Sequence, residues 1–595
     1  MMMHNRFREL RESDSGAALI MVIGWMMVLA LLVSAALGYA IQSNVVAHKG
    51  QDWGSAQSAA QAGLEDYVAR LNRNDNYARV WDCTNPALQG PNQSGNTCGW
   101  GANTVTGWIP VIATQPTGPA FHYDVDASML DQSGTINVMS TGRVGKVTRT
   151  IQAAIGRGGS TDFLYYTDLE HADPANVGVY PSGTTKYFCG STGAQKDIYW
   201  WSPSISGSNR SNSGCTEIGF AAADVLDGRV HFNDTPKLNA TGATFLSGFE
   251  TSNPGCKTAT APNYSGCLRS GSPIPVYGTS GSPVPPIYTD TLYLDDTSAK
   301  FSAYPGCHFY GSTRIKFNSD ATMTVWSKDS TGKSTGTGCG TFSAANSSQT
   351  VAVPNDQVIY VSAGSATHRC LSSEIGDGLP LGTYTGSATT TYTYDLTMLT
   401  TDQFCGQGNL YIEGTVKGRV TMAVENSIVV TGDLVLANGI NGTDLVGLVA
   451  GNSVQVFHPW VDTWQKPSTT WGWKNAPAAV SGWPHRYIDP STSAYTPTSG
   501  IQIAASIQTL QHSFWVQQYS QGSAQGTLLV LGSIAQRWRG IVGQGSAGYV
   551  KLYKYDARLK YSSPPYFPQW TNAKWGPRHT GELVSTYNSA GKYVG

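Results

Sequence analysis

The residues of this chain best suited to covalent chemistry are ten cysteines, Cys83, Cys98, Cys189, Cys215, Cys256, Cys267, Cys307, Cys339, Cys370 and Cys405. Their number is even and they are confined to the middle of the chain. A structural zinc site needs ligands about two to four residues apart, and no two cysteines are that close. His308 beside Cys307 has no matching partner elsewhere. The spacing therefore predicts disulfides and an oxidising compartment, and no metal or other cofactor is expected. Sequential pairs such as Cys83 with Cys98, or Cys256 with Cys267, would close short loops, a loop of about 15 residues being worth roughly 3 kcal/mol. Polysaccharide-cleaving chemistry would need clustered carboxylates, or an Asp beside a cation. His231, Asn233 and Asp234 in VHFND and Asp295 and Asp296 in YLDDT are the candidates. Both stretches end a strand at a turn, where polar side chains bond their own backbone. No nucleophile elbow, zinc-protease helix or phosphate-cradling loop is present. No catalytic residue is assigned, and the chain is not expected to be an enzyme. Trp460, Trp464, Trp471, Trp473 and Trp483 are dense enough to stack on sugar rings, which makes a surface ligand or carbohydrate a candidate partner. Packing of the rings on one another fits them better.

Such groups must be held by a scaffold, and its first part is a helix. Arg6, Arg8 and Arg11 precede an unbroken apolar stretch from Gly16 to Ile41. As a helix this stretch spans roughly 37 Å, enough for a hydrocarbon core of about 30 Å. The arginines place the leader inside and the body outside the cytoplasm, with Lys49 a weaker opposing charge. From Trp53 the residues Ala56, Ala60, Leu64, Tyr67 and Leu71 recur at steps of three and four, so one helix is expected over 17–72. Its first half would face lipid and its second half a protein core.

A long N-terminal helix divided in this way resembles the type IV pilin family, and Ser13-Asp14-Ser15-Gly16-Ala17-Ala18-Leu19-Ile20 is similar to a prepilin peptidase site. The resemblance implies a leader over 1–16, cleavage between Gly16 and Ala17, and lateral contact of the helix with other pilin-like subunits as well as with membrane lipid. The family's glutamate at the fifth mature position is replaced by Met21. Together with Gly-Ala-Ala-Leu-Ile, that absence is similar to PilX-type minor pilins and to the large minor pseudopilin of type II secretion. GRVHFNDTPKLNATGATFLSGFETS, the Leu410 region, GTLLVLGSIAQRWRG and YDARLKYSSPPYFP are in turn similar to large PilX-type envelope proteins. The implied role is that of a minor pilin-like or pseudopilin-like component of a pilus-type surface assembly, in a tip, assembly or adhesion position.

Charged residues make up 13% of the 595-residue chain and the formal net charge is −1. No basic run follows a phosphate backbone, so nucleic acid is excluded as a partner. Alternating stretches at 120–126 and 134–157 suggest a small sheet on the helix, within a pilin-like region at 73–160. Beyond it, short β-branched runs begin near Leu410, Val420, Ile428, Val446 and Val454, then at Ile501 and Leu528. IVVTGDLVL and LVGLVAG are nearly continuous apolar segments of the kind parallel sheets bury. The expected fold is thus mainly β with one long N-terminal α-helix: an anchor, a small α+β head, and a parallel β-solenoid over 161–570. Antiparallel β-sandwich modules are the alternative. Loops are expected at 268–300 and 458–500 and a C-terminal tail at 571–595, with SSPPYFPQW capping or bracing the last coil. The competing functional reading is a membrane-anchored extracellular β-solenoid enzyme acting on polysaccharide.

Overall fold

A computed structural model describes the chain from Arg6 to Val594, except residues 94, 177–178, 180–195, 203–214, 240–242, 262–263, 270–275, 278–281, 369, 371–373, 376–382, 386–389, 396–403, 459, 466–471, 476–499, 518, 521–523 and 589–591. The fold is mainly β with one long N-terminal helix, as the sequence pattern implied. It divides into two compact units. The first comprises residues 1–127, 136–155 and 579–595, and the second 128–135 and 156–578.

In the first unit the helix Arg6–Arg73 is continuous over 68 residues. Its apolar side chains from Leu19 to Val46 are exposed, whereas Ala56, Ala59, Ala60, Leu64, Tyr67 and Leu71 are buried. The switch arises from the residues themselves. Large apolar groups surround the first half, and small ones on the covered stripe of the second let a sheet approach closely. Gly142 sits where a Cβ would strike the backbone of Ala56 and Ala60, so only glycine allows that approach. Ser140 Oγ donates to Ala60 O at 2.7 Å. Trp53, expected in the covered stripe, remains 44% exposed, with the Arg149 guanidinium 4.0 Å over its ring.

The sheet has the order Ile109–Pro110, Ala120–Asp126, Thr135–Val144, Val147–Arg157 and Trp575–Leu583. The last strand corrects the expected tail at 571–595. WGPRHTGEL carries Gly, Pro and three ionisable residues, a poor strand pattern, yet it completes this sheet. Beyond it Tyr587 is fully buried, donating to the Asp124 carboxylate at 2.8 Å and lying 3.1 Å from His122 Nε2. The second unit is therefore inserted in the sequence of the first.

The second unit is built on parallel ladders. The longest runs, in spatial order, through Ile287–Tyr288, Phe249–Thr251, Val230–Phe232, Tyr165–Ala172, Ala524–Arg539, Ile501–Thr509, Leu445–Ala450, Arg419–Val424, Gln357–Ser362 and Gly306–Tyr310, each parallel to the next. The chain enters in the middle of this ladder at Tyr165 and builds outward to Tyr288. It then resumes at the opposite end with Gly306 and works back until Ala524–Arg539 closes against Tyr165–Ala172. DFLYYTDLEHADP supplies this first strand, so the rung that opens the unit in sequence lies inside the ladder in space. A second ladder stacks Thr313–Phe317, Leu410–Val416, Ile428–Leu436, Val454–Val456 and Phe514–Val516 in parallel. The interior is apolar, with Phe232, Ile412, Val430, Leu448, Ile507 and Val530 fully buried.

At the turns before the second ladder, Asn426 Nδ2 donates to Asn409 Oδ1 at 2.8 Å and Asn452 Nδ2 to Asn426 Oδ1 at 3.1 Å. Each asparagine thereby satisfies a buried amide on the next rung. Among the described residues of the second unit, antiparallel pairing longer than two residues occurs where Thr322–Trp326 joins Thr313–Phe317 to Ser348–Ala352, and in a four-stranded sheet. Within the loop expected at 458–500, the described stretches Trp460–Gln465 and Gly472–Asn475 are strands of that sheet, and 466–471 and 476–499 lie outside the described residues. Trp460–Gln465 pairs with Thr390–Asp395 and with Gly472–Asn475, because β-branched and aromatic residues outweigh the flanking prolines there. Trp471 and Trp483 lie outside the described residues. The 268–300 region likewise contains the strands Val276–Tyr277, Ser282–Pro283 and Ile287–Tyr288.

SSPPYFPQW does not cap an end. Phe567 packs with Phe301, Tyr360 and Val449, and Trp570 with Phe163, Tyr166 and Ala535, so the segment runs along the outside of the long ladder, where its aromatic rings find apolar cover. Disulfides join Cys83 to Cys98, Cys256 to Cys267, Cys307 to Cys339 and Cys370 to Cys405. Cys215 is also disulfide-bonded, and Cys189 lies outside the described residues.

Candidate functional site

Two places in the molecule are shaped for an encounter: the bare half of the helix, and a cleft in the second unit. The helix is long and apolar enough to cross a membrane. Gly16 and Ala17 lie within its first turns, in unbroken helical continuity with the apolar stretch. Its apolar residues from Leu19 to Val46 find no cover among the described residues of the protein.

The carboxylates singled out in the sequence do not form a reactive group. His231 is fully buried, its Nε2 2.9 Å from Asn233 Oδ1 and its Nδ1 3.1 Å from Thr289 Oγ1. The ring stacks on Tyr166 with centroids 5.6 Å apart. The Asn233 amide donates to Tyr166 Oη, Asp168 Oδ1 and Leu292 O at 2.6–2.8 Å. Asp234 accepts backbone N–H groups of Glu170 at 3.0 Å and Trp200 at 2.7 Å. Glu250 lies under His231; burial works to raise its pKa, but hydrogen bonds from His231 and Arg229 prevail and hold it below the usual carboxylate range. This polar cluster is saturated and closed to substrate, and its work is to pin one rung to the next. Asp295 is paired with Lys300, and the Asp296 carbonyl accepts from Gln511. Neither joins the VHFND group in any contact among the described residues.

What the sequence did not reveal is a cleft of about 830 Å³ where the turns before successive rungs stack. Asp162 and Phe163 lead into Tyr165–Ala172, Asp227 to Arg229 lead into Val230–Phe232, and Ser247 precedes Phe249–Thr251. Asp290 and Thr291 form one wall and Asn572 to Lys574 another, tied together by Asn572 Nδ2 donating to Thr291 O at 2.7 Å. Phe163 and Trp570 form a buried base. Burial raises the Asp162 pKa, opposed by the charges of Arg578 and Arg229 and by the Gly159 N–H at 2.8 Å. Arg229 is ion-paired with Glu250 and its guanidinium lies 4.9 Å from the Phe163 ring centre. Asp227, Lys560 and Lys574 have no side-chain partner among the described residues. These groups come from positions as far apart as 162 and 574, so no local motif announces them.

The fold and these surfaces define a class: a mainly β, disulfide-braced chain headed by a helix able to cross a membrane. No family model matches the chain, and no curated protein matches it. Among solved structures it is similar to the competence-associated pilin ComZ from Thermus thermophilus, at 11% identity over 90% of this chain and 97% of that one, with a TM-score of 0.26. A superposition at that score does not establish a shared fold.

Proposed function

We propose that this protein is a minor pilin-like structural component of a type IV pilus-type surface assembly, acting by insertion and contact and not by catalysis. The observation that carries the reading is the division of the helix Arg6–Arg73. Its first half is bare and apolar, and its second half is packed under a sheet by small residues and Tyr67. A plain membrane tether needs only the first property. A helix that also joins a bundle of its own kind needs both, because the covered half fixes how the head is presented.

Arg6, Arg8 and Arg11 and the disulfides support an extracytoplasmic body. Glycine followed by alanine at positions 16 and 17 supports removal of a leader. Stacked parallel ladders support a β-solenoid body, whose bulk suits a tip or assembly complex better than a repeating shaft. The chain lacks the intramembrane carboxylate that would pair with a neighbouring subunit's terminal amine, so its helix contacts are apolar. Burial of His231, Asn233 and Asp234 is in keeping with a role by contact.

The test is the N-terminus of the protein isolated from its own membrane. A mature start at Ala17 that disappears when prepilin peptidase is absent, or when Gly16 is replaced by Val, is expected. A start at Met1 in the wild type, or processing independent of that peptidase, would overturn the reading.

A further inference from the structure

The cleft in the second unit has chemistry that neither anchoring nor assembly uses. It crosses the turns before three rungs of one parallel ladder, and rungs in such a ladder are about 4.8 Å apart. Polar side chains therefore recur along it at the strand spacing. Its volume of about 830 Å³ lies within the range of ligand-binding clefts, about 300–1,000 Å³. Asp227, Lys560 and Lys574 have no side-chain partner among the described residues, and Asp290 has only the Tyr288 hydroxyl at 3.2 Å.

The occupant is constrained by charge and by shape. Carboxylates at 162, 227 and 290 and cations at 229, 560 and 574 line the same cleft, so a polyanion would be repelled as much as attracted. An extended peptide binds by adding to a free strand edge, and the N–H and C=O groups of these rungs already pair with the rungs on either side. Hydroxyl groups both donate and accept, and so satisfy a mixed set of carboxylates and ammonium groups. A glycan in an extended ribbon advances, per sugar, by about the distance between rungs.

We propose that this cleft binds a neutral, β-1,4-linked glycan laid across the rungs, with Asp227, Asp290 and Lys574 hydrogen-bonding its hydroxyl groups. Asp162 lies at the buried end, its carboxylate accepting the Gly159 N–H at 2.8 Å. The proposal does not depend on the pilin reading, since a tethered surface protein would use the cleft equally.

The experiment is a titration of the full chain in detergent with cellohexaose and chitohexaose, monitored by calorimetry and by mass spectrometry of the sugar. Binding of at least one of the two, weakened at least tenfold in Asp227→Ala and in Asp290→Ala with an unchanged melting temperature, is expected. Lys574→Ala, on the exposed rim, provides a second probe that leaves the base intact. Absence of binding by either sugar up to millimolar concentration, or binding that all three substitutions leave untouched, would overturn the proposal. Shortened sugar products would overturn it in another way, by making the cleft catalytic.

Discussion

Asn426 is a single side chain that ties three rungs together, accepting from Asn452 and donating to Asn409. Asn426→Ala should cost about 1–3 kcal/mol, the penalty of leaving buried amide groups unpaired, measurable as a shift in denaturant midpoint with an unchanged slope. Asp162 makes a different prediction. Burial raises its pKa in the folded state, so its contribution to stability is present below the unfolded value and is lost as pH rises through the folded one. Asp162→Asn keeps an acceptor for the Gly159 N–H and removes the titration. The variant should lose less stability than the parent between about pH 4 and pH 7, as read by chemical unfolding at each pH. Residues of this kind were only partly legible in the sequence. The stripe Ala56, Ala60, Leu64, Tyr67 and Leu71 could be read because a helix repeats its faces locally. Asp162 and Asn572 could not be joined, because nothing local links positions about 410 residues apart.

Elements show where the inserted body closes on itself. The strands Tyr165–Ala172 and Ala524–Arg539 meet at a seam that holds Glu170 and Arg539, both fully buried and 2.8 Å apart. In the neighbouring ladder Ala547–Tyr555 meets Val225–Asp227, and Lys551 pairs with Asp224 at 2.9 Å. Burial works to lower the Arg539 pKa, but Glu170, by charge and hydrogen bond, together with Tyr165 and Asp224 outweighs it and holds the pKa above the ordinary arginine value. Burial prevails at Lys551 and lowers it. Glu170→Gln leaves a buried guanidinium without its counter-charge and should destabilise the body by about 3–5 kcal/mol, with faster hydrogen exchange first in 534–539 and 165–169. Just beyond the strand that completes the head sheet, Tyr587 is held by a buried hydrogen bond to Asp124. Tyr587→Phe removes the hydroxyl that donates to Asp124, and a loss of about 1.5–3 kcal/mol is expected, seen as faster exchange over Ala120–Asp126. Strand existence was legible for Leu410 to Phe457 because β-branched runs alternate with turn residues. The order of the rungs was not, because parallel pairing leaves no turn signature and the chain fills the ladder from the middle outward and then from the far end.

The whole molecule combines an exposed apolar helix with a large body whose sequence is inserted into that of its head. Cross-links suit such a chain, since Cys307–Cys339 and Cys370–Cys405 close loops of 32 and 35 residues. Loss of either, by paired serine substitution, should cost about 3–4 kcal/mol in the chain-entropy account and lower the melting temperature of the body. The mainly β class and the long helix were legible from composition and periodicity. The insertion was not, because a strand as irregular as Trp575–Leu583 is recognisable only by what it pairs with. We propose the bare half of the helix as an assembly surface and not only a tether. A photo-reactive residue at Val33, on that bare half, tests it in the native membrane. Cross-links to another subunit with an N-terminal apolar helix of the same kind are predicted, and cross-links to lipid alone would contradict the account.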